Sequence, residues 1–172
     1  DALNFEMAAY GHSLIVDPGR YTYSEQSTDG VNWRRYFKGT AAHNTVVVDG
    51  LDQIPYRCER PIDPEPVASM KYFISAAGFD FLHGQVISHQ YPVVHERMIF
   101  FMPPEYWIVT YRLSAEGSHK YDFYFHLSSG AQKQAHIVSD DVSHIIHSPN
   151  LLLAQAFSAD TEVAIEQGYV SP

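Results

Sequence analysis

The run His119-Lys120-Tyr121-Asp122-Phe123-Tyr124-Phe125-His126-Leu127 decides the fold class. Tyr121, Phe123, Phe125 and Leu127 fall on one side of a period-two alternation, the mark of a strand with one face against a core. The same kind of run recurs in both directions. Residues 67–75, 81–89, 93–101 and 106–113 read as strands before it, and 135–138, 144–147 and 151–156 after it. Ser148-Pro149-Asn150 separates the last two as a hairpin turn. Near the start, Leu3, Phe5, Met7 and Ala9 share one face of a first strand, with Asn4, Glu6 and Tyr10 on the other. Residues 13–16 form a second strand ended by Pro18-Gly19, and 45–48 a short buried strand closed by Asp49-Gly50. Residues 24–32 are a polar loop, and 51–66 carry four prolines, which no helix would tolerate. Only a short turn near 34–37 has helical character. Many short strands with turn signals between them predict an all-β chain, an antiparallel two-sheet β-sandwich, with residues 1–172 as a single domain.

Composition agrees and removes several functions. A chain of 172 residues, 45% hydrophobic and 18% charged, is ordinary globular material. No apolar run approaches the roughly 20 residues of a membrane helix. The single Cys58 excludes an internal disulfide and reads as a small packed side chain. The formal net charge of −9 and the lack of a basic stripe argue against nucleic acid, whose phosphates need cations to release their counterions. The same charge would repel an acidic polymer at long range. Arg20, Arg34, Arg35 and Lys38 cluster locally, however, and field focusing in a cleft can oppose the sign of the whole.

Chemistry concentrates in Asp17-Pro18-Gly19-Arg20-Tyr21-Thr22-Tyr23 and Ala42-His43-Asn44-Thr45-Val46. Asp17 and His43 offer a carboxylate and a neutral imidazole, both natural zinc ligands, though two are fewer than a site needs. Taken alone they could be only turn and strand-start residues. Arginine forks suit a carboxylate, and tyrosine can carry a proton. The remaining histidines, at 12, 83, 89, 95, 119, 126, 136, 144 and 147, show no tight metal spacing and read as surface or satisfied strand residues.

The order of these motifs resembles the C-terminal domain of heparinase II/III-like polysaccharide lyases. The resemblance is dense over residues 1–11, 14–23, 35–40 and 42–50 with Gln53. It continues more loosely through His95-Glu96-Arg97-Met98-Ile99-Phe100-Phe101, Trp107-Ile108-Val109, His119-Lys120-Tyr121 and Phe125-His126-Leu127. It implies a polysaccharide lyase that cleaves a uronic-acid-containing polymer by β-elimination, periplasmic or secreted, such as one acting on a glycosaminoglycan or alginate. It also implies an N-terminal α/α-toroid in the parent enzyme, and a His-x-His-x segment before the residue corresponding to Asp1. The expectation is therefore a fragment truncated at both ends, inactive alone.

Within that resemblance Asp17 and His43 are metal ligands, completed by one upstream histidine. The ion would be zinc, with calcium the other choice, mainly structural and weakly held without the third ligand. Tyr23 is the candidate catalytic proton carrier, ahead of Tyr21 and Tyr36. Arg20 and Arg35 are candidate carboxylate clamps, and Asn44 a candidate substrate contact. The other reading is a non-catalytic carbohydrate-binding or structural β-sandwich. A cupin-like metalloenzyme lacks its His-x-His and following ligands here.

Overall fold

The computed structural model describes residues 2–56, 65–104, 106–156 and 160–166. The expectations for Asp1, for Cys58, for residues 57–64 of the proline-rich loop and for 169–172 lie outside the described residues. The strands are β1 (Met7–Ala9), β2 (His12–Ile15), β3 (Val46–Val48), β4 (Val67–Ala76), β5 (Phe79–Ile87) and β6 (Val94–Met102), followed by β7 (Tyr106–Ser114), β8 (Tyr121–Phe123), β9 (His136–Ser139), β10 (Ser143–His147) and β11 (Leu152–Ala156). One six-residue helix, α1 (Trp33–Lys38), fills the place of the expected helical turn. The chain is all-β and every strand pair is antiparallel. It divides into two compact units, Asp1–Glu6 with Asp17–His126, and Met7–Val16 with Leu127–Pro172.

The first unit is a two-layer sandwich. Its large sheet is the meander β4-β5-β6-β7, and its small sheet pairs β3 with β8, Val46 opposite Phe123 and Val48 opposite Tyr121. Val46, Val47 and Val48 are all buried, as a continuous β-branched run requires when both faces are covered. Val46 and Val48 cluster with Tyr91 and Val93, and Tyr111, Leu113 and Tyr121 pack against that cluster. Each such valine contributes roughly 1.5–3 kcal/mol by leaving water. The Tyr91 hydroxyl donates to the Val46 carbonyl at 2.6 Å, satisfying both polar groups inside the core.

The second unit holds the β9-β10-β11 sheet and the β1-β2 hairpin. The hairpin turns through Tyr10 and Gly11, both at positive φ (53° and 79°), the backbone a two-residue mirror-image turn demands. Ser148 closes the β10–β11 turn by bonding Leu151, at the predicted Ser-Pro-Asn site. Asn150 donates to the Ser13 carbonyl and the Ser128 hydroxyl, each at 3.3 Å.

Two expected strands are shorter than their alternation promised. Of 119–127 only Tyr121–Phe123 forms a ladder strand. Tyr124 still donates to Thr45, but the His126 amide is taken by the Asn44 side chain at 2.6 Å, and Leu127 bridges Ile15 instead. The first strand likewise begins only at Met7. Leu3 sits at φ 60°, and residues 2–6 are held by side chains rather than by a ladder.

Candidate functional site

Asp17 opens the loop that follows β2, and its own side chain shapes it. Oδ1 accepts the Gly19 amide at 2.7 Å, and Gly19 takes the positive φ (64°) that lets the Asp-Pro-Gly turn close. The Asp17 amide donates to Glu6 Oε1 at 3.0 Å. His43 follows the 3-10 turn Thr40–Ala42, where its amide caps the Thr40 carbonyl at 3.2 Å. Thr40, fully buried, is anchored by Asp52 at 2.7 Å. These two local structures aim the Asp17 and His43 side chains at each other, Oδ2 to Nδ1 at 2.6 Å. Burial works to raise the Asp17 carboxyl, but the hydrogen bonds from His43 and Gly19 and the His43 charge hold it below the ordinary value of 3.8.

Asn44 is fully buried behind this pair. Its amide donates to Asn4 Oδ1 and its Nδ2 to the Phe5 carbonyl, both at 2.9 Å. Its Oδ1 accepts the His126 amide and faces His126 Nδ1 at 3.2 Å. Asn44 therefore stitches residues 4–5, the His43 segment and the chain before Leu127 together. His126 was read from sequence as an ordinary strand histidine. Burial, and then the neighbouring His43, push its imidazole below the usual range, with Asp17 opposing.

The Arg-Tyr part of the loop forms an exposed cluster. The Arg20 guanidinium lies 4.6 Å from the centre of the Tyr23 ring and that of Arg34 5.8 Å from it. Arg34 also donates to the Tyr23 carbonyl at 3.0 Å. Tyr23 is 76% exposed, more than Tyr21 or Tyr36. Tyr21 instead stacks on Phe37 at 5.0 Å. Arg35 lies exposed on α1; among the described residues it is Arg34, not Arg35, whose guanidinium is brought to Tyr23.

The family model described as heparinase II/III-like, C-terminal, matches residues 1–172. The chain belongs to this family. No curated protein and no solved structure matches it. In this heparinase II/III-like C-terminal domain the Asp17–His43 pair has the donor chemistry of a divalent-metal site, one carboxylate oxygen and one imidazole nitrogen, each side chain less than a fifth exposed. Among the described residues no third His, Cys, Asp or Glu completes a cluster. No helix among them is long and apolar enough to cross a membrane.

Arg97 was missed as a part of this neighbourhood. The signal was legible: His95 and Arg97 alternate on one face of a strand otherwise rich in apolar residues, and both are buried. His95 also departs from the expected satisfied histidine. Among the described residues neither of its ring nitrogens has a hydrogen-bond partner, and burial followed by the Arg97 charge pushes its pKa down to about 3.

Proposed function

We propose that this domain is one wall of a polysaccharide lyase active site that cleaves a uronic-acid-containing polymer by β-elimination. The observation that carries the reading is the direct Asp17–His43 contact at the base of the loop that presents Arg20 and Tyr23. Asp17 and His43 would hold a divalent ion, zinc before calcium, with a further ligand from outside this chain. Bound there, it would supply fixed positive charge against Asp17, and the two ligands would tie the loop to the His43 segment.

The chemistry asks for three things: loss of the proton beside the uronate carboxylate, a proton for the departing glycosidic oxygen, and neutralisation of that carboxylate. Tyr23 would carry a proton: it is exposed, and the guanidinium groups of Arg20 and Arg34 lie beside its ring, where a substrate carboxylate would be drawn. Arg20 and Arg34 would supply guanidinium forks for the carboxylate, while Arg35, exposed on α1, would draw the polymer by its charge. Asn44 acts from behind the wall, holding His43 in place, since its side chain is buried and bonded within the protein. The other wall is an N-terminal α/α-toroid of the same enzyme, and export to the periplasm or beyond brings it to its polymer.

The exposed rings of Tyr21 and Tyr36, packed with the half-buried Trp33 on the buried Phe37, favour a second reading, in which the domain binds sugar rings without cleaving them. Ultraviolet absorbance of unsaturated uronate product separates the two. Full-length enzyme, its Tyr23→Phe variant and the present chain are assayed on heparin-type, alginate and other uronate polymers. Turnover by the full-length enzyme, lost in Tyr23→Phe and absent from the isolated chain, supports the lyase. Binding of every polymer without product by the full-length protein overturns it in favour of the binding module.

A further inference from the structure

Arg97 lies at the centre of the first unit, 1% exposed, and among the described residues no carboxylate pairs with it. A cation buried without a counter-charge is costly, and an apolar side chain of similar volume would fill the space more favourably. The guanidinium does something an apolar group cannot. Its Nη1 donates to two main-chain carbonyls at once, that of Leu3 and, at 2.7 Å, that of Asn44. Its Nη2 meets the Tyr111 hydroxyl at 3.2 Å, and its central carbon lies over the rings of Phe5 (4.7 Å) and Tyr111 (4.8 Å).

The two carbonyls belong to the two segments that frame the site. Asn44 is the residue after His43. Leu3 lies in the strap of residues 2–6, which is laid along the His43 segment by the Asn44–Asn4, Asn44–Phe5 and Thr45–Ala2 bonds. The strap ends at Glu6, which accepts the Asp17 amide at 3.0 Å. Leu3 itself seats over Gly84, where a Cβ would come within 2.6 Å of its Cδ2. The strap therefore reaches both members of the pair, His43 through Asn44 and Asp17 through Glu6.

We propose that Arg97 is a positioning residue of this site, its buried guanidinium clamping the carbonyls of Leu3 and Asn44 so that His43 is set against Asp17. It acts through the backbone and touches no substrate. Its effect on turnover rests on the lyase reading; its effect on the Asp17–His43 contact does not.

The test uses the full-length protein, stripped of metal by chelator for spectroscopy, with Arg97→Lys and Arg97→Met. Lysine keeps the charge but not the planar fork. In the wild type the His43 Nδ1 proton, bonded to Asp17, should give a resolved downfield resonance. Both variants should unfold cooperatively yet shift or lose that resonance. In the metal-loaded enzyme kcat should fall by about 100-fold, the scale of an ångström's misplacement, with KM changed by less than about threefold. A folded Arg97→Lys protein with the wild-type resonance overturns the proposal, as does a wild type that lacks the resonance. If neither Arg97 variant folds, Tyr111→Phe decides: it keeps the stacked ring but removes the Nη2 partner, so an unmoved His43 resonance overturns the clamp and a shifted one supports it. A wild type with the resonance but no turnover on any uronate polymer sinks the lyase reading alone.

Discussion

Asp17 Oδ2 meets His43 Nδ1 at 2.6 Å across 26 positions of sequence, and neither residue lies in a strand. The contact is built from turns, one closed by Gly19 and the other by Thr40, so it depends on the scaffold behind it more than on its own two partners. Changing either side chain should therefore abolish metal retention with little effect on the sandwich. Asp17→Asn and His43→Gln are each expected to lower the full-length enzyme's zinc affinity by about 100-fold or more, since even outer partners of a ligand are worth 10–100-fold. Metal content after dialysis at fixed free zinc measures this. Retention of zinc at the wild-type level by both variants would remove the pair from the site.

His95 should make the fold acid-sensitive well above the carboxylate range. Its folded pKa of about 3 lies below the ordinary 6.5, so as pH falls through 6.5 the unfolded chain takes up a proton that the folded chain refuses. Stability is whole above pH 6.5 and declines between 6.5 and 3, by at most about 1.4 kcal/mol per pH unit from this one group. Urea unfolding at pH 8, 6 and 5 should show that slope in the wild type and a flatter one in His95→Phe. Parallel curves for the two proteins would mean that His95 is not the group responsible.

The fold was readable because alternation and turn residues report what a strand buries, and β4 to β7 lie close to the runs that predicted them. The shortened first strand and the shortened β8 were not readable, because side chains distant in sequence captured their backbone groups: Asn44 takes the His126 amide, and Arg97 the Leu3 carbonyl. Asp17, His43, Arg20 and Tyr23 could be picked out by residue type and order. His126 could not, since it stands on the polar side of its alternation and only the three-dimensional turn at Asn44 brings it to the pair. Arg97 and His95 did leave a trace, two polar residues on the buried face of a strand.

Tyr91 gives the core a second dependence on one polar bond. Its hydroxyl satisfies the Val46 carbonyl at 2.6 Å, and Val46 is fully buried beside it. Tyr91→Phe keeps the ring and strands the carbonyl, which should cost about 1–3 kcal/mol. Because β3 leads directly out of the His43-Asn44 turn, slowed turnover in the full-length enzyme should accompany the loss. Denaturant midpoints, read with the m-value unchanged, test the energetic part. An unchanged midpoint would show that the carbonyl finds another donor.

The arginines divide by their relation to Tyr23. Arg20 and Arg34 both approach its ring, and Arg34 also fixes its carbonyl, whereas Arg35 stands on the exposed side of α1. A guanidinium that meets a substrate carboxylate contributes about 1.5–3 kcal/mol through charge-assisted hydrogen bonds, which is roughly 10–100-fold in kcat/KM. In the full-length enzyme Arg20→Ala and Arg34→Ala should each lose that much on a uronate polymer. Arg34→Ala should lower kcat as well, because Tyr23 is then free to leave its place. Arg35→Ala should fall less than either, and its loss should shrink further in high salt, as expected for a charge that attracts the polymer from a distance rather than gripping one carboxylate. Kinetics of the three variants at low and high ionic strength distinguish these roles. A loss at Arg35 equal to that at Arg34, unmoved by salt, would place Arg35 in the clamp beside Arg34.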